Sequence, residues 1–320
     1  MAIRYELKGH LALIDANTPY AGLSPIVEVL TSAEFEAMKT IPEEAKEALR
    51  EIQHAESSFI EVFSNFTLGS FAVPAKCDTK MASTCLIPSD PDLFAFYMDR
   101  ESLVFVDDGT FAADILAELG KSGIMRRMTT AHCLYMFFKN LMVDDLVWLG
   151  KLEDSMESME EEMLANQSKS TTTVIMGYRR LSMRFLTYYQ QLASMASILA
   201  DNENKILPKE EADAFDHASA MADRLVDRAE TVNEYSGQLR ELYQTRIDLR
   251  QNAIMQILTV VTVLFAPLTL ITGWFGMNLE VIPGLQWAPM WALLLALFVI
   301  STIALLAVFQ RKSFLQKIVK

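Results

Sequence analysis

The chain has 320 residues, of which 51% are hydrophobic, and its 28 Lys and Arg against 41 Asp and Glu leave a formal net charge of −13. That acidic balance argues against nucleic acid as a partner, because phosphate backbones are bound by basic surfaces. The three cysteines, Cys77, Cys85 and Cys133, are odd in number and lack zinc-ligand spacing, which argues against a disulfide framework and a structural zinc site alike.

Residues 1–130 read as a mixed α/β domain. No cleavable signal is expected at the start, because polar residues follow Met1 at once. Ile3–Leu7 alternates with period two, as a strand with one wet face does. Residues 32–54 read as helix, with Ser32 as N-cap and a second start near Ile41, where Pro42, Glu43 and Glu44 follow. Residues 59–73 suggest a strand pair broken at Gly69 and Ser70. Residues 94–98 and 103–106 are two further strands, and Thr110 caps a short helix that follows them. Residues 77–91 read as loop. No phosphate-cradling glycine loop and no acid–base–nucleophile arrangement is present, so nothing points to an enzyme. Adjacent His132 and Cys133 make no metal site on their own, since an apolar run follows and neither has a second ligand nearby in sequence.

Residues 131–207 read as a long antiparallel helical hairpin. Leu149, Leu152, Met156, Met159 and Met163 recur at spacings of three and four, as do Tyr178, Leu181, Phe185, Tyr188, Leu192, Met195 and Leu199. The break falls at 166–170. The acidic residues around the first seam, including Glu153, Glu157 and Glu160, are either a solvated face or a means of concentrating cations. Residues 208–275 form a third helix, opened by Pro208. Phe215, Ala218, Ala222, Leu225, Ala229, Val232, Leu239 and Tyr243 carry its apolar rhythm. At 1.5 Å per residue the part from Pro208 to Pro267 reaches roughly 90 Å.

Residues 253–275 and 290–309 are apolar almost throughout, and a bilayer core of about 30 Å needs roughly 20 such residues per helix. Two spans are expected, joined by an extracytoplasmic loop at 276–289 and followed by a basic tail at 310–320. Arg240, Arg246 and Arg250 precede the first span, and Arg311, Lys312, Lys317 and Lys320 follow the second. The loop carries no Lys or Arg and one acid, Glu280. Both termini are therefore expected in the cytoplasm, with Trp274, Trp287 and Trp291 at the outer interface.

The segment Thr272-Gly273-Trp274-Phe275-Gly276-Met277-Asn278, at the end of the second-last span, resembles the signature of the CorA family of divalent-cation channels. The likeness continues upstream at Asn252, Met255, Leu258, Pro267 and Thr269, covering the last seventy or so residues closely and the earlier helices by architecture only. The fold it implies is an α/β cytoplasmic domain followed by long α-helices and a two-span C-terminal transmembrane hairpin, five copies forming a funnel in the inner membrane. It implies that the first span lines the pore. Asn252, Met255, Leu258, Thr262, Ala266, Thr269 and Gly273 share one face of that helix. Met255 and Leu258 would make apolar rings that close by dewetting.

The resemblance makes Gly276, Met277 and Asn278 the outer selectivity ring, with Glu280 attracting ions to it. A ring of Asn278 amide oxygens suits Mg²⁺, which holds its waters tightly and is more easily recognised hydrated than stripped. The family's feedback by cytoplasmic Mg²⁺ points to acidic candidates at Asp213, Asp216, Asp223, Asp227 and Glu241, each of which also reads as ordinary solvated surface. The sequence departs from the family pattern at Gly284, where a loop acid is usual, and at Ala266, where many relatives carry a bulky apolar residue. Three readings stand. The first is a passive homopentameric Mg²⁺ channel that also admits Co²⁺ or Ni²⁺. The second is a zinc or other transition-metal transporter, against which the absence of His and Cys from the loop counts. The third is a membrane-anchored sensor or scaffold without transport.

Overall fold

The computed structural model describes residues 3–7, 11–14, 25–52, 57–76, 90–123, 127, 129–165, 172–277, 289–290, 292, 295–296, 298–300 and 302–303. The chain divides into two compact units, Met1–Arg240 and Glu241–Lys320.

The first unit is built on a seven-stranded sheet in the order β2-β1-β3-β7-β6-β5-β4. The strands are β1 (Ile3–Leu7), β2 (Leu11–Ile14), β3 (Ile26–Leu30), β4 (Phe59–Val62), β5 (Thr67–Val73), β6 (Asp92–Met98) and β7 (Ser102–Val106). Only β3 and β7 pair in parallel, and helices α1 (Ser32–Ala37) and α2 (Glu43–Ile52) lie within that crossover. Strand alternation splits the core into two layers. Leu68, Tyr97, Val104 and Val106 pack with Phe35, Ile41 and Leu49 from α1 and α2. On the other face Phe71, Phe94 and Phe105 meet Phe137 of α4 (Thr130–Met142). Helix α3 (Phe111–Ser122) lies on that side too, its Phe111 stacked on Phe94.

Three local expectations are corrected. Thr31, not Ser32, caps α1. Its hydroxyl accepts from Glu34 N while the Glu34 carboxylate accepts from Thr31 N, a reciprocal capping box, and Ser32 bonds Asp108 instead. Gly69 and Ser70 do not break the strand pair but lie inside β5. The turn is at residues 63–66, and Gly69 is needed because it faces Phe96, whose Cε1 would lie 2.4 Å from an added Cβ. Thr110 precedes α3 without a side-chain cap. Buried Asp107 does that work, accepting from Gly109 N at 2.7 Å and Ala112 N at 2.8 Å. Strands β2 and β3 are additional to the expected elements.

Three long helices follow α4: α5 (Asp145–Leu164), α6 (Thr172–Asp201) and α7 (Lys209–Phe275). Residue 166–170, the expected break, lies outside the described residues. All five seam residues of α5 and all seven of α6 are buried. Trp148 near the start of α5 lies 4.3 Å, centroid to centroid, from Phe185 of α6. Burying one Leu or Met side chain contributes about 1.5–3 kcal/mol, against roughly 0–1 for a part-exposed ion pair. The seams therefore hold the helices together, and the polar contacts decide their register. Glu153 and Glu160 of α5 are two such contacts, taken by Arg228 and Tyr235 of α7 rather than left to solvent. The turn between α6 and α7 is tied to the sheet by Asn204, whose amide donates to Phe63 O at 2.8 Å and Thr67 Oγ1 at 3.0 Å.

In the second unit α7 runs on to Phe275 through Pro267. It is the one helix among the described residues long and apolar enough to cross a bilayer. Of the expected second span, residues 290, 292, 295–296, 298–300 and 302–303 are helical, and the rest lies outside the described residues.

Candidate functional site

No residue of the most apolar stretch of α7, whose mean hydropathy is 2.3, is buried within the chain. A core helix of a soluble domain would be covered. An uncovered apolar surface of this size calls for lipid or other chains against it.

The seven-residue stripe lies on the uncovered surface. Asn252, Thr262, Ala266, Thr269 and Gly273 are exposed, and Met255 and Leu258 are 55% and 57% exposed. Thr262, Ala266, Thr269 and Gly273 also line one shallow groove of about 810 Å³, flanked by Phe265 and Trp274. The threonines bond back to their own helix. Thr262 Oγ1 donates to Leu258 O at 2.8 Å and Thr269 Oγ1 to Phe265 O at 2.9 Å. A hydroxyl whose hydrogen is engaged this way keeps its lone pairs for an outside donor. The outer hydrogens of water around a cation are such donors.

Two backbone features end the stripe. Pro267 lacks an N–H, so the ladder bond it would have made to Val263 is missing from the span. Gly276 N closes the last turn on Thr272 O at 2.9 Å, and a Cβ on Gly276 would lie 2.9 Å from that same oxygen. Glycine is thus required at 276. At Gly273 an added Cβ would meet nothing within 4 Å among the described residues. Met277 is 42% exposed, and Asn278 and Glu280 lie outside the described residues.

Asp213, Asp216, Asp223, Asp227 and Glu241 are all exposed on α7, and the four aspartates fall on one stripe at spacings of three, seven and four. Among the described residues none of the five forms an ion pair. Among the described residues no three His, Cys, Asp or Glu side chains converge there into a metal-holding group. Cys133 is fully buried and its thiol is pushed up to about 12 by burial, so it is a core residue and not a ligand. The spacing in sequence gave no sign of one further juxtaposition, His132 beside Glu211 in a pocket between α4 and α7.

The family described as CorA-like Mg²⁺ transporter protein matches residues 26–311. The cobalt/magnesium transport protein CorA of Thermotoga maritima is 27% identical over 197 residues, covering 60% of this chain and 55% of that protein. The chain spans about half the length of the curated relatives it matches first. Among solved structures, the complete CorA magnesium transporter of Methanocaldococcus jannaschii superposes with a TM-score of 0.77 at 20% identity, covering 97% of this chain and 98% of that one. The cytoplasmic domain of ZntB from Vibrio parahaemolyticus superposes with a TM-score of 0.56 at 9% identity, covering 77% of this chain and 98% of that domain. These last two likenesses show a shared fold, while the match over residues 26–311 shows descent. The chain belongs to the CorA-like Mg²⁺ transporter family.

Proposed function

We propose that this chain is a passive divalent-cation channel that takes up Mg²⁺, with Co²⁺ and Ni²⁺ as further cargo, and that it is not an enzyme. The observation that carries the reading is the stripe on α7. Polar oxygens and apolar side chains alternate along one exposed face of an apolar helix whose most apolar stretch has no buried residue. Family membership and the fold shared with a full-length CorA support it.

Two spans cannot enclose water, so the channel is an oligomer, and a homopentamer in the inner membrane with both termini in the cytoplasm is the arrangement proposed. The Asn278 ring receives the hydrated ion, and Glu280 draws ions toward it. Below the ring, Thr269 and Thr262 accept hydrogen bonds from the ion's waters, so the ion crosses without paying for dehydration. Met255 and Leu258 form the apolar constriction that closes by dewetting. Cytoplasmic Mg²⁺ regulates the pore at the acidic stripe. One face of a single helix offers too few ligands, so a bridging ion there needs carboxylates from a second copy.

The test is Mg²⁺-dye uptake into liposomes holding the purified protein, with Asn278→Ala beside it. Uptake by the parent, lost in the variant, is expected. Entry of Zn²⁺ or Co²⁺ without Mg²⁺ would move the reading to a transition-metal transporter. Silence toward every cation from a folded oligomer would leave only the membrane anchor.

A further inference from the structure

In the Met1–Arg240 unit, two polar atoms are buried without a hydrogen-bond partner and belong to residues lining one pocket: His132 Nε2 and Glu211 Oε2. The pocket, about 210 Å³, lies between the first turns of α4 and α7. Glu211 is only 4% exposed. Its other oxygen accepts from Thr129 Oγ1 at 2.5 Å, and the same hydroxyl accepts from His132 N at 3.2 Å. One threonine thus fixes both residues. Arg127, which lines the same pocket, pairs with Glu210 at 2.9 Å.

A buried carboxylate oxygen with no donor carries a desolvation cost that a ligand would relieve. The Tyr135 ring, 5.7 Å from that of His132 centroid to centroid, braces the imidazole from one side. One imidazole nitrogen and one carboxylate oxygen suit a borderline transition-metal ion far better than Mg²⁺, which prefers oxygen alone.

We propose that His132 Nε2 and Glu211 Oε2 bind a transition-metal dication (Co²⁺, Ni²⁺ or Zn²⁺) that joins α4 to the start of α7, with water completing its coordination. Cys133, next in sequence, takes no part because it is turned into the core. The site is separate from the ion pathway and holds or fails whether or not the chain transports.

Equilibrium dialysis of the purified full chain against Co²⁺, in excess Mg²⁺ to fill all-oxygen sites, reads it directly. The chain has four histidines, so His132→Gln removes one candidate and leaves three. The parent should retain one Co²⁺ per chain. His132→Gln and Glu211→Gln should each weaken that Co²⁺ by more than the ~10-fold that even an outer-shell partner costs. Crystals of the unmodified chain soaked in Co²⁺ supply an arm independent of variant folding: an anomalous peak bonded to His132 Nε2 is expected. Equal Co²⁺ retention by parent and both folded variants, or no such peak, would overturn the site and leave a bridging water only.

Discussion

Tyr235 on α7 donates its hydroxyl to Glu160 on α5, one heptad beyond the point where Arg228 of α7 pairs with Glu153 of α5. The two contacts advance together along both helices, so α5 and α7 run parallel there, seven residues in step. Burial first, and the Glu160 carboxylate with it, push the Tyr235 ionisation up, which keeps the hydroxyl a donor.

Removing that hydroxyl tests the register. Tyr235→Phe should lower stability by about 1 kcal/mol, the scale of one intramolecular hydrogen bond. Arg228→Met should cost less, because the pair is part-exposed. The contacts lie about 10 Å apart along the helix, so the double variant should be additive within ~0.5 kcal/mol in thermal melts. A strongly coupled double variant would show that they act as one network.

Gly69→Ala should destabilise the sheet by about 1–3 kcal/mol, the usual cost of forcing atoms into a filled core. The added methyl would meet the Phe96 ring at 2.4 Å and Phe59 O at 3.1 Å. A melting temperature equal to the parent's would mean that Phe96 swings aside freely.

Alkaline pH should unfold the protein through its buried acids. Burial raises the Cys133 thiol from 9.0 to about 12, and raises Tyr188 and Tyr189 above 10.0, with the nearby Asp145 charge adding to the effect on both tyrosines. Each holds its proton more tightly folded than unfolded. Stability is therefore full below the unfolded value and is lost as pH rises through the folded one. The melting temperature should fall from about pH 9 upward, and Cys133→Ala should shallow the fall. A flat profile to pH 11 would contradict the burial of these groups.

The two glycines at the end of α7 should behave differently. Gly276→Ala should disrupt the final turn and abolish cation uptake, since its Cβ would meet Thr272 O at 2.9 Å. Gly273→Ala meets nothing within 4 Å among the described residues, so folding and assembly should be normal. Any loss of uptake by that variant then reports what Gly273 faces outside its own chain. Full uptake would take Gly273 off the ion pathway.

Much of the helical half was legible because its signal is periodic and long. Leu149 to Met163 and Tyr178 to Leu199 repeat at three and four, and those residues are the buried ones. Local choices in the α/β half were harder. Ser32 and Thr31 are both good caps, and only the reach of Glu34 back to Thr31 decides between them. Gly69 reads as a turn until Phe96 is placed across from it. Strand β3 is held by β1 and β7, the latter far along the chain, so its pairing leaves no mark in its own five residues. At the candidate ion site, the stripe's common face followed from helical geometry, whereas the inward bonding of Thr262 and Thr269 required coordinates.

Strand β4, at one margin of the sheet, is four residues long, and β2 at the other margin is equally short. Helix α6 packs against β4, and its Gln191 side chain accepts from Ser58 N just before that strand. Open strand margins are where chains add to one another indiscriminately. Brief, partly occupied margins deny a growing assembly that route while copies crowd together during synthesis. In the proposed oligomer, recognition between copies is thereby left to helix surfaces, whose side chains can discriminate a correct neighbour from an incorrect one.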